Sequence, residues 1–301
     1  MDLRVLRYFL GVAREGSVTA AAAVLHVTQP TLSRQIAELE EELGTKLFIR
    51  EKHRMTLTPD GILLRQRAGE ILDMVKKTAG ELSSGERVVR GEVHIGGGLT
   101  QAMRLIARVI RELRLEYPEV RYNILSGNAL DVAERLDKGL LDFGVLIQPA
   151  DMAKYDYLEL PQKDVWGVVM PKDSPLARKK AIRKKDLLKV PIIGSRWSVR
   201  HSRAMNTLAD WFGDDFEKID VVTTYNLVSN AAIMVEEGVG YALVLGDLTD
   251  THKLCFRPLE PKAESTLYLI WKKRQVFSPA ARVFLNRAQE KYGQGDGRGA
   301  V

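Results

Sequence analysis

Residues 28–35 carry side chains suited to reading the edges of nucleobases. Gln29 offers a donor and an acceptor side by side, the pattern that matches adenine, and Arg34 offers a fork that matches guanine or a phosphate. Thr31, Ser33 and Gln35 add short hydrogen-bonding groups. All of these fall off an apolar stripe, Leu32, Ile36, Leu39 and Leu43, that recurs at helical spacing. Thr28 is placed to cap this helix, Pro30 suits its first turn, where backbone amides have no partner within the helix, and Gly44 suits its end. The run Glu38, Glu40, Glu41, Glu42 sits at the far end and would repel phosphate. Only the N-terminal half of the helix is therefore fit to enter a groove.

A second group of cations follows. Leu47-Phe48-Ile49-Arg50 and Met55-Thr56-Leu57 read as two short strands joined by a loop at 51–54. Arg50, Lys52 and Arg54 at its tip have the charge to meet phosphates or a minor groove, though the same residues suit a solvated charged turn.

Two earlier helices must hold the reading helix in place. Leu6, Phe9, Leu10 and Ala13 mark the first, which Gly16 stops. Ser17 is placed to cap the second, residues 18–25, whose Ala20 to Ala23 let a neighbour approach closely. Two helices with a tight connection, the second polar at its start, describe a helix-turn-helix. An ordinary three-helix packing unit with a solvated polar face fits the spacing too. Beyond it, Thr58-Pro59 opens a long helix in which Leu64, Ala68, Ile71, Val75, Thr78 and Leu82 form a heptad seam. Such a seam pairs with its own copy or covers the neighbouring helices. Residues 83–90 read as a hinge.

From residue 91 the pattern changes to strands alternating with helices. Strands are expected at 93–95, 120–125, 142–147, 165–170, 190–193, 241–245 and 267–271. Helices are expected at 101–116, 130–138, 203–212, 227–237 and 279–292. This alternation implies an α/β unit with mostly parallel strands. Leu99, Thr100 and Gln101 fall at the first turn from strand to helix, where free amides can meet an anion.

Bulk properties exclude several classes. The 301 residues suit a small domain plus a larger one, and 45% apolar with 28% charged residues reads as globular. The net charge is +6, yet residues 1–90 hold 14 Lys plus Arg against 12 Asp plus Glu, so charge alone does not single out the N-terminal part. Cys255 is the lone cysteine, and the histidines at 26, 53, 94, 201 and 252 have no metal-ligand spacing. Gly96-x-Gly98-x-x-Gln101 lacks the third glycine of a dinucleotide fingerprint, and neither a phosphate-binding Gly-Lys-Ser/Thr loop nor a Gly-x-Ser-x-Gly elbow occurs. No cofactor and no enzymatic activity are expected. No stretch of 18 apolar residues and no leader-like start are found, so the expectation is a cytoplasmic protein without a membrane partner. The basic run Arg178-Lys179-Lys180 and Arg183-Lys184-Lys185 reads as solvated surface.

Several runs together resemble the LysR-type transcriptional regulators. They are Arg7-Tyr8-Phe9, Gly16-Ser17-Val18-Thr19-Ala20-Ala21-Ala22, and Leu25 through Ile36 with its Val27-Thr28-Gln29-Pro30-Thr31-Leu32-Ser33-Arg34-Gln35. Leu39-Glu40-Glu41-Glu42-Leu43-Gly44, Leu47-Phe48, Arg50 and Leu57-Thr58-Pro59-Asp60-Gly61 continue the match. Val18, where an aromatic is usual, and Pro59-Asp60 depart from it. Gly91 to Gly96, Tyr117 to Val120, Gly127-Asn128, Leu136 to Asp142 and Val235 to Gly240 extend the resemblance more weakly to that family's effector-binding domain.

The resemblance implies an N-terminal all-α winged helix-turn-helix and a C-terminal α/β periplasmic-binding-protein-like domain of two subdomains. The expected boundaries are 1–58 for DNA binding and 59–90 for a dimerising linker helix and hinge. Residues 91–295 form the effector domain, with 91–161 and 265–295 in one subdomain and 162–264 in the other. Double-stranded promoter DNA is the implied partner, met by Ser17, Thr28, Gln29, Pro30, Thr31, Ser33, Arg34, Arg50, Lys52 and Arg54. A small effector is implied in the cleft, near Leu99, Thr100, Gln101, Asn128, Gln148, Ser195, Arg196, Trp197 and Ser198. Arg196, Arg200, His201 and Arg203 point to an organic anion, or else to a solvated helix face. Trp197 suits stacking on a ligand or packing in a core. Homodimers, and tetramers through the effector domains, complete the expectation.

Overall fold

A computed structural model describes residues 1–50, 55–82, 89–147, 152–195, 207–246 and 252–293. The chain divides into two compact units, Met1–Ser83 and Ser84–Val301.

In the first unit three helices pack around one small core. Helix α1 (Leu3–Glu15) starts at Asp2, whose carboxylate accepts from the Arg4 amide, and stops at Gly16 with φ +64°. Ser17 caps α2 (Val18–Val24) through the Ala20 amide. Helix α3 (Gln29–Leu43) follows and ends at Gly44, φ +67°. Leu6, Phe9 and Val12 of α1, Ala21 and Ala22 of α2, and Leu32, Ile36 and Leu39 of α3 are buried together. Leu43, expected on the same stripe, is exposed. Strands β1 (Phe48–Arg50) and β2 (Met55–Leu57) pair antiparallel, with Phe48 opposite Leu57. Phe48 turns inward onto Phe9, ring centres 5.3 Å apart.

Helix α4 (Pro59–Leu82) leaves from the base of this hairpin. Thr58 Oγ1 accepts from the Gly61 amide at 3.0 Å, as a cap should. The expected seam is partly consumed within the unit. Ala68 is fully buried, and Leu64 and Ile71 pack on the same core as α1 and α3. Among the residues of α4 with described burial, Ile62 and Leu63 are the large apolar ones left exposed.

The second unit is an α/β body with one ten-stranded sheet. In chain order its elements are β3 (Gly91–Gly97), α5 (Ala102–Glu116), β4 (Val120–Ser126), α6 (Ala129–Asp137), β5 (Phe143–Ile147) and β6 (Tyr155–Pro171). They continue with β7 (Ile182–Arg183), α7 (Lys184–Leu187), β8 (Ile192–Ser195), α8 (Thr207–Phe212), β9 (Val221–Tyr225) and α9 (Val228–Glu236). The chain closes with β10 (Tyr241–Leu245), β11 (Leu254–Glu260), β12 (Glu264–Lys272) and α10 (Pro279–Tyr292).

The sheet runs β4-β3-β5-β12-β6-β10-β8-β9, with β11 beside β6 and β7 beside β11. β3 is parallel to β4 and β5, and β8 to β9 and β10, as expected of strands joined through helices. The centre departs from the mostly parallel expectation. β12 runs antiparallel to β5 and β6, and β10 and β11 run antiparallel to β6. β6 is one strand of 17 residues where only 165–170 was expected. Its first part pairs with β12 and its last part with β10 and β11, so it belongs to both halves of the sheet.

Each half carries apolar cores on its two faces. Phe143, Val93, Ile95, Leu105, Ile106 and Phe284 fill one face of the first half, and Val132, Leu136 and Ile270 the other. Gly96 is small for a reason: a Cβ there would lie 2.5 Å from Leu141 and 3.2 Å from Val132. In the second half Phe212, Ile182 and Met170 share one core, and Ile193, Val235 and Val244 another.

Candidate functional site

The residues expected to read bases are displayed as their spacing suggests. Thr28, Gln29, Pro30, Thr31 and Arg34 are exposed, and Ser33 and Ser17 are half-buried at the same end of the unit's helices. Thr28 holds the cap position of α3 but does not cap it by its side chain. Its hydroxyl is shared with Thr31, 2.8 Å away. Arg34 and Gln35 are both drawn to Glu38, at 2.7 Å each. The Glu38 hydrogen bond and charge raise the Arg34 guanidinium above its ordinary value, so Arg34 must exchange a carboxylate for any DNA acceptor. Arg50 ends β1; Lys52 and Arg54 lie outside the described residues.

The base of the wing is held by a buried acid that the sequence pattern places among repelling charges. Glu40 is 4% exposed. Burial alone would raise its carboxyl. The Lys46 ammonium and the Leu47 and Phe48 amides outweigh that and hold it below the ordinary carboxylate value.

In the second unit a cavity of about 150 Å³ opens between the two halves of the sheet. Leu99 and Thr100 reach it from the turn before α5, Asn128 from the turn after β4, and Ser195 from the end of β8. Residues that sequence reasoning missed complete the wall: Trp166 of β6, Thr207 of α8, Tyr225 at the end of β9, Asn226 after it, and Ser265 of β12. Asn226 had no legible signal, since the strand before it, β9, was not among those expected. Trp166 and Ser265 had none, because their meeting depends on β6 and β12 pairing across a separation of 99 residues.

The polar groups of this cavity differ in how well they are satisfied. Trp166 Nε1 donates to Ser265 Oγ at 3.0 Å, and the Tyr225 hydroxyl donates to the Leu243 carbonyl at 2.8 Å. Asn128 spends its carbonyl on the Leu130 and Asp131 amides, at 2.9 and 3.1 Å, and so caps α6. Thr100 is 3% exposed and its Oγ1 is buried with no partner among the described residues. A buried hydroxyl without a partner costs about 1–3 kcal/mol.

Gln101 departs from expectation. It is not among the cavity residues. Its side-chain oxygen accepts from Arg104 at 2.6 Å, and its amide donates to Asp164 at 3.2 and 3.3 Å. That amide was expected to face an anion and is already given to a protein carboxylate. Asp164 is 1% exposed, and burial pushes its carboxyl above the ordinary value, with the Gln101 amide a partial offset. Gln148, Arg196, Trp197 and Ser198, with Arg200, His201 and Arg203, lie outside the described residues.

The basic run at 178–185 is surface, as expected. Lys179 pairs with Asp186 at 2.6 Å and Arg183 with Glu260 at 2.8 Å. Among the described residues no cluster of metal-binding side chains occurs, and no helix is long and apolar enough to cross a membrane.

A winged helix-turn-helix unit together with an α/β unit that holds an internal cavity defines a one-component DNA-binding regulator. Comparison with known families bears this out. Residues 3–62 match the bacterial regulatory helix-turn-helix protein model of the lysR family, and residues 86–293 match the LysR substrate binding domain. The Hca operon transcriptional activator HcaR of Escherichia coli (strain K12) is 31% identical over 97% of this chain and 98% of its own. The uncharacterized HTH-type transcriptional regulator YwbI of Bacillus subtilis (strain 168) is 31% identical over 96% of each. CbnR, solved as a full-length protein with its target DNA, superposes with a TM-score of 0.77 at 19% identity, over 96% of this chain and 99% of that one. The chain belongs to the LysR family of transcriptional regulators, which are not enzymes, and carries that family's effector-binding domain.

Proposed function

We propose that this regulator binds promoter DNA through the start of α3 and the wing, and that a small organic anion held between the halves of the α/β unit changes that binding. Residues 1–58 read DNA and 59–90 link and dimerise. Residues 91–295 sense, divided into 91–161 with 265–295 and 162–264. Gln29, Pro30, Thr31, Ser33 and Arg34 face base edges, Ser17 and Thr28 support them, and Arg50, Lys52 and Arg54 meet phosphate or minor groove. The fold shared with CbnR, which was solved on its target DNA, supports this orientation. Ile62 and Leu63, exposed on α4, supply apolar area for a second copy, and effector domains pair in turn to give a tetramer.

The single observation that carries the sensing half is the Thr100 hydroxyl, without a partner among the described residues and buried at a cavity walled from both halves of the sheet. A ligand acceptor satisfies it, and a ligand touching both walls favours their closure. Leu99, Asn128 and Ser195 line the same space. Gln148 and the 196–198 segment, with Arg196 as the cation, follow strands whose ends reach it. Calorimetry of the protein and its Thr100→Ala variant against small carboxylates and their neutral amides tests the reading. Binding of a carboxylate but not its amide, weakened in the variant, is expected; an effector that binds both proteins alike removes this site.

A further inference from the structure

Glu40 takes no part in base reading, yet it stands where the reading helix meets the wing. Its Oε1 accepts from the amides of Leu47 at 2.9 Å and Phe48 at 3.3 Å, and its Oε2 from Lys46 Nζ at 2.8 Å. Leu47 leads into β1 and Phe48 opens it, and both turn inward to the core. The other fastenings of the hairpin go elsewhere. The Thr58 amide and hydroxyl donate to the Leu47 and Lys46 carbonyls, 3.0 and 2.7 Å, at the foot of α4. The Met55 amide donates to the Gly16 carbonyl at 2.8 Å, at the end of α1. Among the described residues, the hydrogen bonds that join α3 to the hairpin are those of Glu40.

We propose that Glu40 is a positioning residue for DNA binding: through the Leu47 and Phe48 amides it holds the wing at a fixed place against α3, so that helix and wing reach the duplex together. The inference rests on the reading that the wing touches DNA. A carboxylate suits the task because one oxygen can take two amides while the other takes a cation. Its depressed carboxyl value agrees with a group kept ionised for that purpose. Alanine would leave both buried amides without an acceptor. Aspartate keeps the charge but falls one methylene short.

The test uses the full-length protein and a duplex that the wild type selects from a random-sequence pool. Hydroxyl-radical footprints and affinities against salt are read for wild type, Glu40→Ala and Glu40→Asp. The alanine variant should lose flanking, wing-side protection while central protection stays. Its affinity should fall about tenfold at 0.15 M salt, with a log–log salt slope shallower by roughly 0.9 for each phosphate that the wing no longer neutralises. The aspartate variant should show the same flank-selective loss in smaller measure, and it decides the matter if alanine prevents folding. Variants with the wild-type footprint and slope overturn the proposal. So does an even loss over centre and flank that tracks faster hydrogen exchange in α3, which would make Glu40 merely structural. A wild type without flank protection removes the wing reading, and this proposal with it.

Discussion

Two buried carboxylates, one in each unit of this regulator, are driven in opposite directions; the second unit also buries Asp142, which accepts from the His94 amide. Glu40 in the DNA-reading unit accepts from two amides and a lysine, and its carboxyl is held down. Asp164 in the effector unit accepts from one amide, that of Gln101, and its carboxyl is pushed up. The same contrast runs through the neighbouring groups. The polar atoms at the base of the wing are partnered, whereas the cavity of the effector unit holds the Thr100 hydroxyl, which has no partner among the described residues. A reading head must keep its shape while it searches DNA, so its buried polar groups are closed off within the protein. In the proposed reading the sensing cavity keeps a group that a ligand would satisfy on occupation.

The contrast breaks most easily at Gly61, where the reading unit has no slack. A Cβ on Gly61 would stand 2.1 Å from the Leu47 carbonyl oxygen, which is backbone and cannot swing aside. Gly61→Ala should destabilise the first unit by about 3 kcal/mol. All four tryptophans, 166, 197, 211 and 271, lie in the second unit. Hydrogen exchange in α1 and α3 should therefore accelerate while the tryptophan unfolding midpoint stays put; equal loss in both would show that the units melt as one. Gln29→Ala should do the reverse: leave stability alone and cost roughly 1–3 kcal/mol of binding to the selected duplex, with relaxed choice at one base position. An unchanged base preference would move the reading role off Gln29.

The opposed carboxylates make opposed pH profiles. The Glu40 carboxyl is lower in the folded state, so its stabilisation is present above the unfolded value, about 4.3, and is lost as pH falls through the folded one. Glu40→Gln should cost about 2 kcal/mol in the first unit at pH 7, a deficit that shrinks below pH 4. The Asp164 carboxyl is higher in the folded state. It favours folding below about 3.9, and that contribution is lost as pH rises through the raised folded value. Asp164→Asn should leave the tryptophan midpoint equal or higher at pH 7, and the advantage should vanish in acid. Parallel profiles for the two variants would erase the distinction between the units.

The reading head was more legible in the sequence than the sensor, for a physical reason. Its helices are local: the stripes of Leu6 and Phe9 and of Leu32, Ile36 and Leu39, with the stops at Gly16 and Gly44, recur within a few turns and reappear as buried faces and left-handed ends. The roles of Thr28 and Glu40 were not legible, since they depend on which neighbour competes for an oxygen. In the effector unit α5 and α10 stand within a residue of their expected ends, because amphipathic period marks a helix from within. The full length of β6, the antiparallel direction of β12 and the strands β7, β9 and β11 escaped notice. Strand pairing is a long-range choice, and β6 changes partners midway between two halves of a sheet. The cavity inherits that opacity. Thr100 was found from its place after β3, while Trp166 and Ser265 become neighbours only once β6 and β12 pair.

The smallest expected effect is the sharpest test of the sensor. Thr100→Val replaces the unpartnered hydroxyl by a methyl of nearly the same size. If the hydroxyl has no protein partner, the folded state carries its desolvation without return, and removing it should stabilise the ligand-free second unit by up to about 1 kcal/mol. The tryptophan unfolding midpoint in urea should rise slightly, with unchanged slope. Addition of an effector that shifts the wild-type midpoint should shift the variant's less, because the acceptor on the ligand now faces a methyl. The two signs together are diagnostic. A hydroxyl that served the fold would make the valine variant less stable without ligand, and a hydroxyl unrelated to the ligand would leave the effector-induced shift equal in both proteins. Only a group kept in reserve for the effector makes the empty protein stronger and its response weaker.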